Sequence, residues 1–161
     1  MVSEQRADLL VLYGEVDAQI ASENPRCDVS GRCCRFSEYG HTLFLSAVEA
    51  ELLFERAPAS GGGECPYQIA GRCTAREHRP LGCRIYFCDP NYADRMAEIS
   101  EVSIRRLKDL HDRWGRAWDY RPLERFTAEL GSWNSMAFDA DPTLPILACD
   151  PCQLDSSLCG D

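Results

Sequence analysis

The chain has 161 residues, a formal net charge of −9, and ten cysteines against three histidines. This length suffices for one domain that buries roughly two-thirds of its unfolded surface, so we expect a single domain over 1–161 that does not need its cysteines as crosslinks. The acidic charge argues against nucleic acid as a partner, and no apolar run reaches the roughly 18 residues of a membrane-spanning helix.

The first predicted element is an amphipathic helix over residues 4–23, ended by Asn24-Pro25. Its apolar stripe has spacings of three and four and consists of Leu9, Leu12, Val16 and Ile20. The stretch "CDVSGRCCRF" at 27–36 follows and has no helical period, which predicts an irregular loop. Loops of this kind bring metal ligands together.

The second helix is predicted over 46–57, because Ser46 and Glu49 form a capping box at its start. The run 59–63 is rich in glycine and predicts a flexible connection within one domain. The segment "CPYQIAGRCT" then predicts a small hairpin with Ala70-Gly71 at its turn.

A long helix is predicted over 90–114, with Asp89 as its N-cap, and a last short helix over 122–130. The long helix carries a stripe made of Met96, Ile99, Ser103, Leu107, Leu110 and Trp114, and the short helix carries Leu123, Phe126 and Leu130. The fold class predicted is mainly α with a small β-hairpin (α+β), around an irregular cysteine-rich centre.

The cysteines are the strongest functional signal. The first residues lack the apolar stretch of a signal peptide, so we expect a cytoplasmic protein whose thiols stay reduced and bind metal rather than form disulfides. The candidate ligands lie between residues 27 and 88 and are Cys27, Cys33, Cys34, Cys65, Cys73, Cys83 and Cys88. Seven thiols exceed the four that one tetrahedral ion needs, so either some are bystanders or more than one metal is bound.

Two of these candidates are adjacent. On an extended backbone the side chains of Cys33 and Cys34 point to opposite sides, which favours one of them as a ligand and gives the other a second role, unless a turn lies between them. Cys88 precedes the predicted start of the long helix, where free backbone N–H groups favour a thiolate, as ligand or as reactive thiol. The excess of cysteine over histidine favours an iron–sulfur cluster over zinc.

Other residues offer weaker candidates. His78 is positioned to replace a thiolate, although a histidine bonded to backbone is the commoner case. Arg79 and Arg84 are expected to neutralise thiolates or pair with carboxylates. The acidic tail 131–161 adds Cys149, Cys152 and Cys159, which close over the main cluster, bind a second metal with an aspartate, or take no part.

The spaced elements "CDVSGRCC", "CPYQIAGRC", Arg79-Pro80 and Cys83-Arg84, in this order around a helix, resemble the bacterial YkgJ-like cysteine-cluster family over about residues 24–92. That family is described as a zinc- or iron-chelating domain. The resemblance implies a metal-binding core over 24–92 with Cys27, Cys33, Cys34, Cys65, Cys73 and Cys83 as its cysteines, whereas Cys88 is added only by its position before the predicted helix.

These observations predict a cytoplasmic metal-binding protein, with iron–sulfur or zinc, in a structural or redox role, acting with a protein partner. One alternative is a cluster-dependent modifying enzyme, since a similar cysteine pattern occurs in flagellin lysine N-methylases, although we find no nucleoside-binding loop or catalytic triad. The other is a zinc-stabilised interaction adaptor whose acidic tail is the docking arm. Whether the protein is an enzyme stays open.

Overall fold

The computed structural model describes residues 1–57 and 64–130. Its elements are α1 (Ser3–Glu23), β1 (Phe44–Ser46), α2 (Ala47–Phe54), β2 (Gln68–Ile69), β3 (Arg72–Cys73), α3 (Leu81–Ile85), α4 (Ala93–Arg113), β4 (Tyr120–Pro122) and α5 (Leu123–Leu130). Short 3-10 helical turns cover Arg32–Cys34, Arg76–His78 and Pro90–Tyr92. The mainly helical fold with a small hairpin confirms the predicted class. The predicted connection 59–63 and tail 131–161, with Cys149, Cys152 and Cys159, lie outside the described residues.

The long helices α1 and α4 pack against each other and against α3. They enclose the larger of two apolar clusters, which we call the helical core; it includes Leu9, Leu12, Val16, Ile20, Val48, Leu81, Ile85, Ile99 and Leu107. Both apolar stripes predicted for these helices face this cluster, with Met96 and Trp114 at its edge. The two stripes are therefore confirmed.

The second cluster, which we call the thiol core, lies among α2, α5 and two small antiparallel sheets. Strand β1 pairs with β4, with Leu45 opposite Arg121, and β2 pairs with β3, with Gln68 opposite Cys73. The members of this cluster include Cys34, Leu43, Leu45, Leu53, Cys65, Tyr67, Leu123 and Phe126, with Cys33, Cys73 and Cys83 packed against them. The β1–β4 sheet was not predicted, because its strands are three residues long and far apart in sequence.

The predicted caps differ in outcome. The Ser46–Glu49 capping box is confirmed: the Ser46 N–H donates to Glu49 Oε2 at 2.8 Å, and the Glu49 N–H donates to Ser46 Oγ at 3.3 Å. Asp89 instead caps the 3-10 turn Pro90–Tyr92, and α4 begins only at Ala93. None of the helices in the described part of the chain combines the length and hydropathy that crossing a bilayer requires.

Candidate metal centre

The adjacent cysteines lie on the 3-10 turn Arg32–Cys34. The backbone is therefore a turn and not the extended chain that would send the two side chains to opposite sides. The Sγ atoms of Cys33 and Cys34 are 3.9 Å apart. Both residues line one cavity, which we call the thiol cavity.

Gly31 brings this turn onto the hairpin. It has a φ of 70°, and a Cβ at this position would lie 2.7 Å from Nε2 of Gln68 and 3.0 Å from Cα of Gly71. The Gln68 side-chain amide donates a 2.9 Å hydrogen bond to the Gly31 carbonyl. Only a residue without a side chain permits both the positive φ and this close approach. The first cysteine loop is thereby fixed beside the hairpin cysteines.

The hairpin carries the next two thiols. Ala70 and Gly71 form its turn with φ values of 48° and 79°, as a two-residue turn of type I′ requires. Cys65 before it is 6 % exposed, whereas Cys73 on β3 is half-buried. After the hairpin, the backbone N–H of Thr74 donates to the Tyr67 carbonyl at 2.8 Å, which closes the loop between the two cysteines.

Cys83 lies on α3, a helix of five residues that is positioned by a buried carboxylate. Glu49 is 1 % exposed, and its Oε1 accepts hydrogen bonds from the Leu81 N–H at 2.8 Å and the Tyr13 hydroxyl at 3.1 Å. The same side chain therefore caps α2 and fixes the start of α3 against α1. Burial raises the pKa of Glu49, while these hydrogen bonds favour its ionised form.

The thiol cavity is where these segments meet. Its volume is about 30 Å³, and the thiols that line it are those of Cys33, Cys34, Cys65, Cys73 and Cys83. Arg79 and apolar side chains, among them Leu43 and Leu123, complete the wall. Five of the seven predicted ligands, from three chain segments, thus surround one small space.

Hydrogen bonds among the cavity thiols give them different pKa values. A hydrogen bond with Cys34, helped by the Arg79 charge, lowers the pKa of Cys33 to about 6. A hydrogen bond with Cys34 also lowers the pKa of Cys65. The pKa of Cys34 is raised in turn, because its proton serves both neighbours. Cys33 and Cys65 are therefore the thiols that ionise first.

The pKa values of the other two cavity thiols are shifted in the opposite direction to those of Cys33 and Cys65. Burial raises the pKa of Cys73 and that of Cys83, and for both the negative charge of Cys65 adds to the effect. Arg79 acts in the opposite direction on both. Charging all the thiols together therefore requires more positive charge than Arg79 supplies.

Cys27 and Cys88 do not line the thiol cavity. Cys27 is exposed and Cys88 is half-buried. The Arg26 N–H donates to Asp89 Oδ2 at 3.0 Å, which ties the stretch before Cys27 to the residue after Cys88. Since α4 begins at Ala93, Cys88 does not sit at the start of the long helix as expected. Their role as ligands stays a prediction.

The two arginines and the histidine singled out in the sequence also differ in whether they line the thiol cavity. Arg79 lines the cavity, and Arg84 instead pairs with Asp17 at 2.5 Å, with its guanidinium over the Tyr13 ring. His78 is half-buried on a 3-10 turn and does not line the cavity; burial lowers its pKa. Of the two arginines, Arg79 is the one placed to offset thiolate charge.

Within residues 1–57 and 64–130, no group of three or more Cys, His, Asp or Glu side chains is arranged to hold a metal ion as it stands. The five thiols line a common space without converging on one ligand geometry. Comparison with known proteins found no matching family model, no similar curated protein and no similar solved structure. The resemblance to the YkgJ-like family stays a prediction.

Sequence reasoning missed two residues that build this centre. Glu49 was interpreted only as a helix cap, and its contacts with α1 and α3 join residues 32 and 36 positions away. Gly31 was treated as part of an irregular loop. Its position directly before the turn of Cys33 and Cys34 was the available signal, because glycine is the residue that permits close backbone approach.

Proposed function

We propose that the protein binds a metal centre through the cysteine thiolates of the thiol cavity, and that this centre has a structural or redox role. The observation that carries the proposal is the convergence of Cys33, Cys34, Cys65, Cys73 and Cys83 on one cavity. Three separate segments supply these thiols, as is usual for sites assembled from short loops.

The alternative is that these cysteines serve only as packing residues, as free cysteines often do. Two observations count against it. A tetrahedral zinc with bonds of about 2.3 Å holds its sulfurs roughly 3.8 Å apart, close to the 3.9 Å between Cys33 and Cys34. In addition, the pKa of Cys33 lies near neutrality, which simple packing does not require. Soft thiolates with little oxygen or nitrogen nearby suit zinc or iron.

The size of the cavity bears on which metal binds. A space of about 30 Å³ holds a particle of the size of one water molecule, or a single ion. A four-iron cluster would need the Cys33–Cys34 turn and the hairpin to move apart. The composition of the chain favours iron–sulfur, and the cavity volume favours one ion, so metal analysis has to decide between them.

The roles of the residues follow from their positions. Thiolates of four cavity cysteines would supply the ligand shell of one ion, with Arg79 offsetting the remaining negative charge. Zinc would act structurally by joining the first loop, the hairpin and α3, whereas an iron–sulfur cluster would add electron transfer. Either role is compatible with a reducing, cytoplasmic setting and a protein partner.

The test is metal stoichiometry. Protein purified anaerobically is analysed for zinc, iron and acid-labile sulfide per chain, for the parent and for Cys73→Ser, Cys83→Ser and Cys159→Ser. We expect the first two substitutions to abolish stoichiometric metal and Cys159→Ser to leave it nearly intact, because serine is a poor ligand for soft metals. Circular dichroism confirms that the helices persist.

Cys27→Ser and Cys88→Ser belong in the same series, since both residues lie outside the cavity. Full metal content in both variants would restrict the centre to the five cavity thiols, whereas loss in either would add that residue to the ligand set. A parent protein that contains neither zinc nor iron after anaerobic purification, and takes up neither, would overturn the proposal.

A further inference from the structure

A second and larger cavity lies directly beside the thiol cavity. We call it the side cavity; its volume is about 340 Å³, within the range of small-molecule sites. Leu43 and Leu123 line both cavities, so one layer of side chains separates them. Phe36 and Pro122 extend the apolar part of its wall.

The charge of the side cavity has one sign. Its lining includes two carboxylates, Glu64 and Glu124, and no lysine or arginine. Glu64 is held in place by Ser37, whose backbone N–H donates to its Oε2 at 2.8 Å. Glu124 is exposed and, among the described residues, its carboxylate has no hydrogen bond or ion pair. The lining itself therefore presents two negative charges and no lysine or arginine.

His41 is the one ionisable member of this lining that is not a carboxylate. Its ring stacks on Tyr86 at 4.8 Å and meets Phe36 edge-on at 5.5 Å, which fixes its orientation. Nε2 lies 3.5 Å from the Cys33 carbonyl oxygen, which only accepts, so Nε2 carries the proton and Nδ1 is the acceptor. Nδ1 is buried and has no partner in the described part of the chain. Because Nδ1 is closed to solvent, His41 contributes its ring to the wall and not a hydrogen bond to a ligand.

We propose that the side cavity binds a small organic monocation, a primary ammonium group on an apolar chain. The carboxylates of Glu64 and Glu124 attract the charge, and the wall around Leu43 and Leu123 covers the chain. An anion of the same size would be repelled. The proposal does not depend on which metal the thiol cavity binds, or on whether it binds one.

The experiment is a titration of the full chain with n-butylammonium chloride at low ionic strength and pH 7.5, followed by calorimetry and by amide chemical shifts. We expect one site of millimolar affinity, with shifts centred on Thr42 and its neighbours in the lining. Butyrate and 1-butanol serve as the anionic and neutral probes of matched length. We expect no binding of butyrate, and binding of 1-butanol at least about tenfold weaker.

Substitutions locate the charge that acts. Glu124→Lys should weaken n-butylammonium binding at least about tenfold, and Glu124→Gln about threefold. Glu4 is the matched control, because it too is exposed in the first turn of a helix but lies outside the cavity. Glu4→Lys should leave the affinity unchanged. Zinc and iron per chain should be the same in all variants, so a failed metal centre and a failed cation site are distinguishable.

Three results would each overturn the site. The first is n-butylammonium binding no better than 1-butanol. The second is equal weakening by Glu4→Lys and Glu124→Lys, which would make the effect one of net charge. The third is a set of shifts away from the side cavity. Glu124→Gln keeps the test valid if the lysine variant proves unstable, since a neutral exposed side chain there has little effect on folding.

Discussion

The helical core and the thiol core differ in what holds them together. The first lies between two helices of 21 residues each, with Leu9 and Leu107 fully buried among aliphatic and aromatic side chains. The second is built from strands of two or three residues, short turns and cysteines. Two-stranded sheets of this length are marginal alone. The comparison teaches that apolar burial between long helices stabilises one half, while the other half is where we expect an added interaction to contribute most.

The largest expected effect comes from removing the metal. Structural thiolate sites contribute on the order of 10 kcal/mol of folding free energy, so a strong chelator should loosen the thiol core and spare α1 and α4. Hydrogen exchange by mass spectrometry should show amides of 31–46 and 64–83 exchanging at least about 100-fold faster after chelation. Equal exchange, and equal melting temperatures, with and without metal would mean that the centre is not structural.

The second effect is a cavity in the helical core. Leu107→Ala should reduce the free energy of unfolding by about 2–5 kcal/mol, because Leu107 is fully buried. Val102→Ala on the same helix is the control, since Val102 is 50 % exposed and its loss should cost less than about 0.5 kcal/mol. Chemical denaturation followed by circular dichroism measures both. The Leu107 effect should be equal in metal-loaded and chelated protein, and a dependence on metal would contradict the separation of the two cores.

The third effect tests the junction between the cores. Glu49→Gln replaces an acceptor by a donor next to the Ser46 or Leu81 N–H, so it should destabilise the protein by about 1–3 kcal/mol. Tyr13→Phe removes only one of the hydrogen bonds to Glu49 and should cost about 0.5–1.5 kcal/mol. Equilibrium denaturation checks both values, with Glu4→Gln as the exposed control. Metal affinity should fall with Glu49→Gln, because Glu49 positions α3 and α3 carries Cys83. An unchanged affinity would show that Glu49 does not determine the position of Cys83.

The smallest effect is a pH dependence in the helical half. His111 is fully buried beside Trp114 and Trp118, and burial lowers its pKa from the ordinary value near 6.5. The unfolded chain therefore binds a proton at higher pH than the folded chain does. The contribution of neutral His111 to the free energy of unfolding is fully present at pH values above the pKa of histidine in the unfolded chain. It falls as the pH drops below that value, by at most about 1.4 kcal/mol per pH unit for one proton.

The variant His111→Phe isolates this contribution from those of His78 and the acidic groups. It keeps a ring against the tryptophans and loses one hydrogen bond, from Nδ1 to the Ala117 carbonyl. Its stability, measured by denaturation from pH 7.5 to pH 5, should fall less steeply than that of the parent. Parallel profiles would show that His111 does not titrate in this window.

Much of the fold was predictable because it depends on local periodicity and local caps. Each signal for the stripes of α1 and α4, the Ser46–Glu49 capping box and the Ala70-Gly71 turn comes from residues at most four positions apart in the sequence. The start of α4 was misplaced because the Asp89-Pro90 signal is the same for a 3-10 turn and an α-helix. Cys27 was grouped with the other thiols on the family resemblance and Cys88 on its position before the long helix. Neither signal shows which loop reaches the thiol cavity, because that depends on the fold.

The sequence by itself determined that the chain is mainly helical, acidic and rich in cysteine, since periodicity and composition are properties of the chain alone. Only the tertiary structure decided which thiols meet. That choice depends on contacts between distant residues, such as Gly31 against Gly71 and Glu49 with the Leu81 N–H. It also placed the side cavity beside the thiol cavity. Leu43 and Leu123 are 80 positions apart and become neighbours only when β1 pairs with β4, which leads into α5; the Leu123 N–H then donates to the Leu43 carbonyl at 2.8 Å.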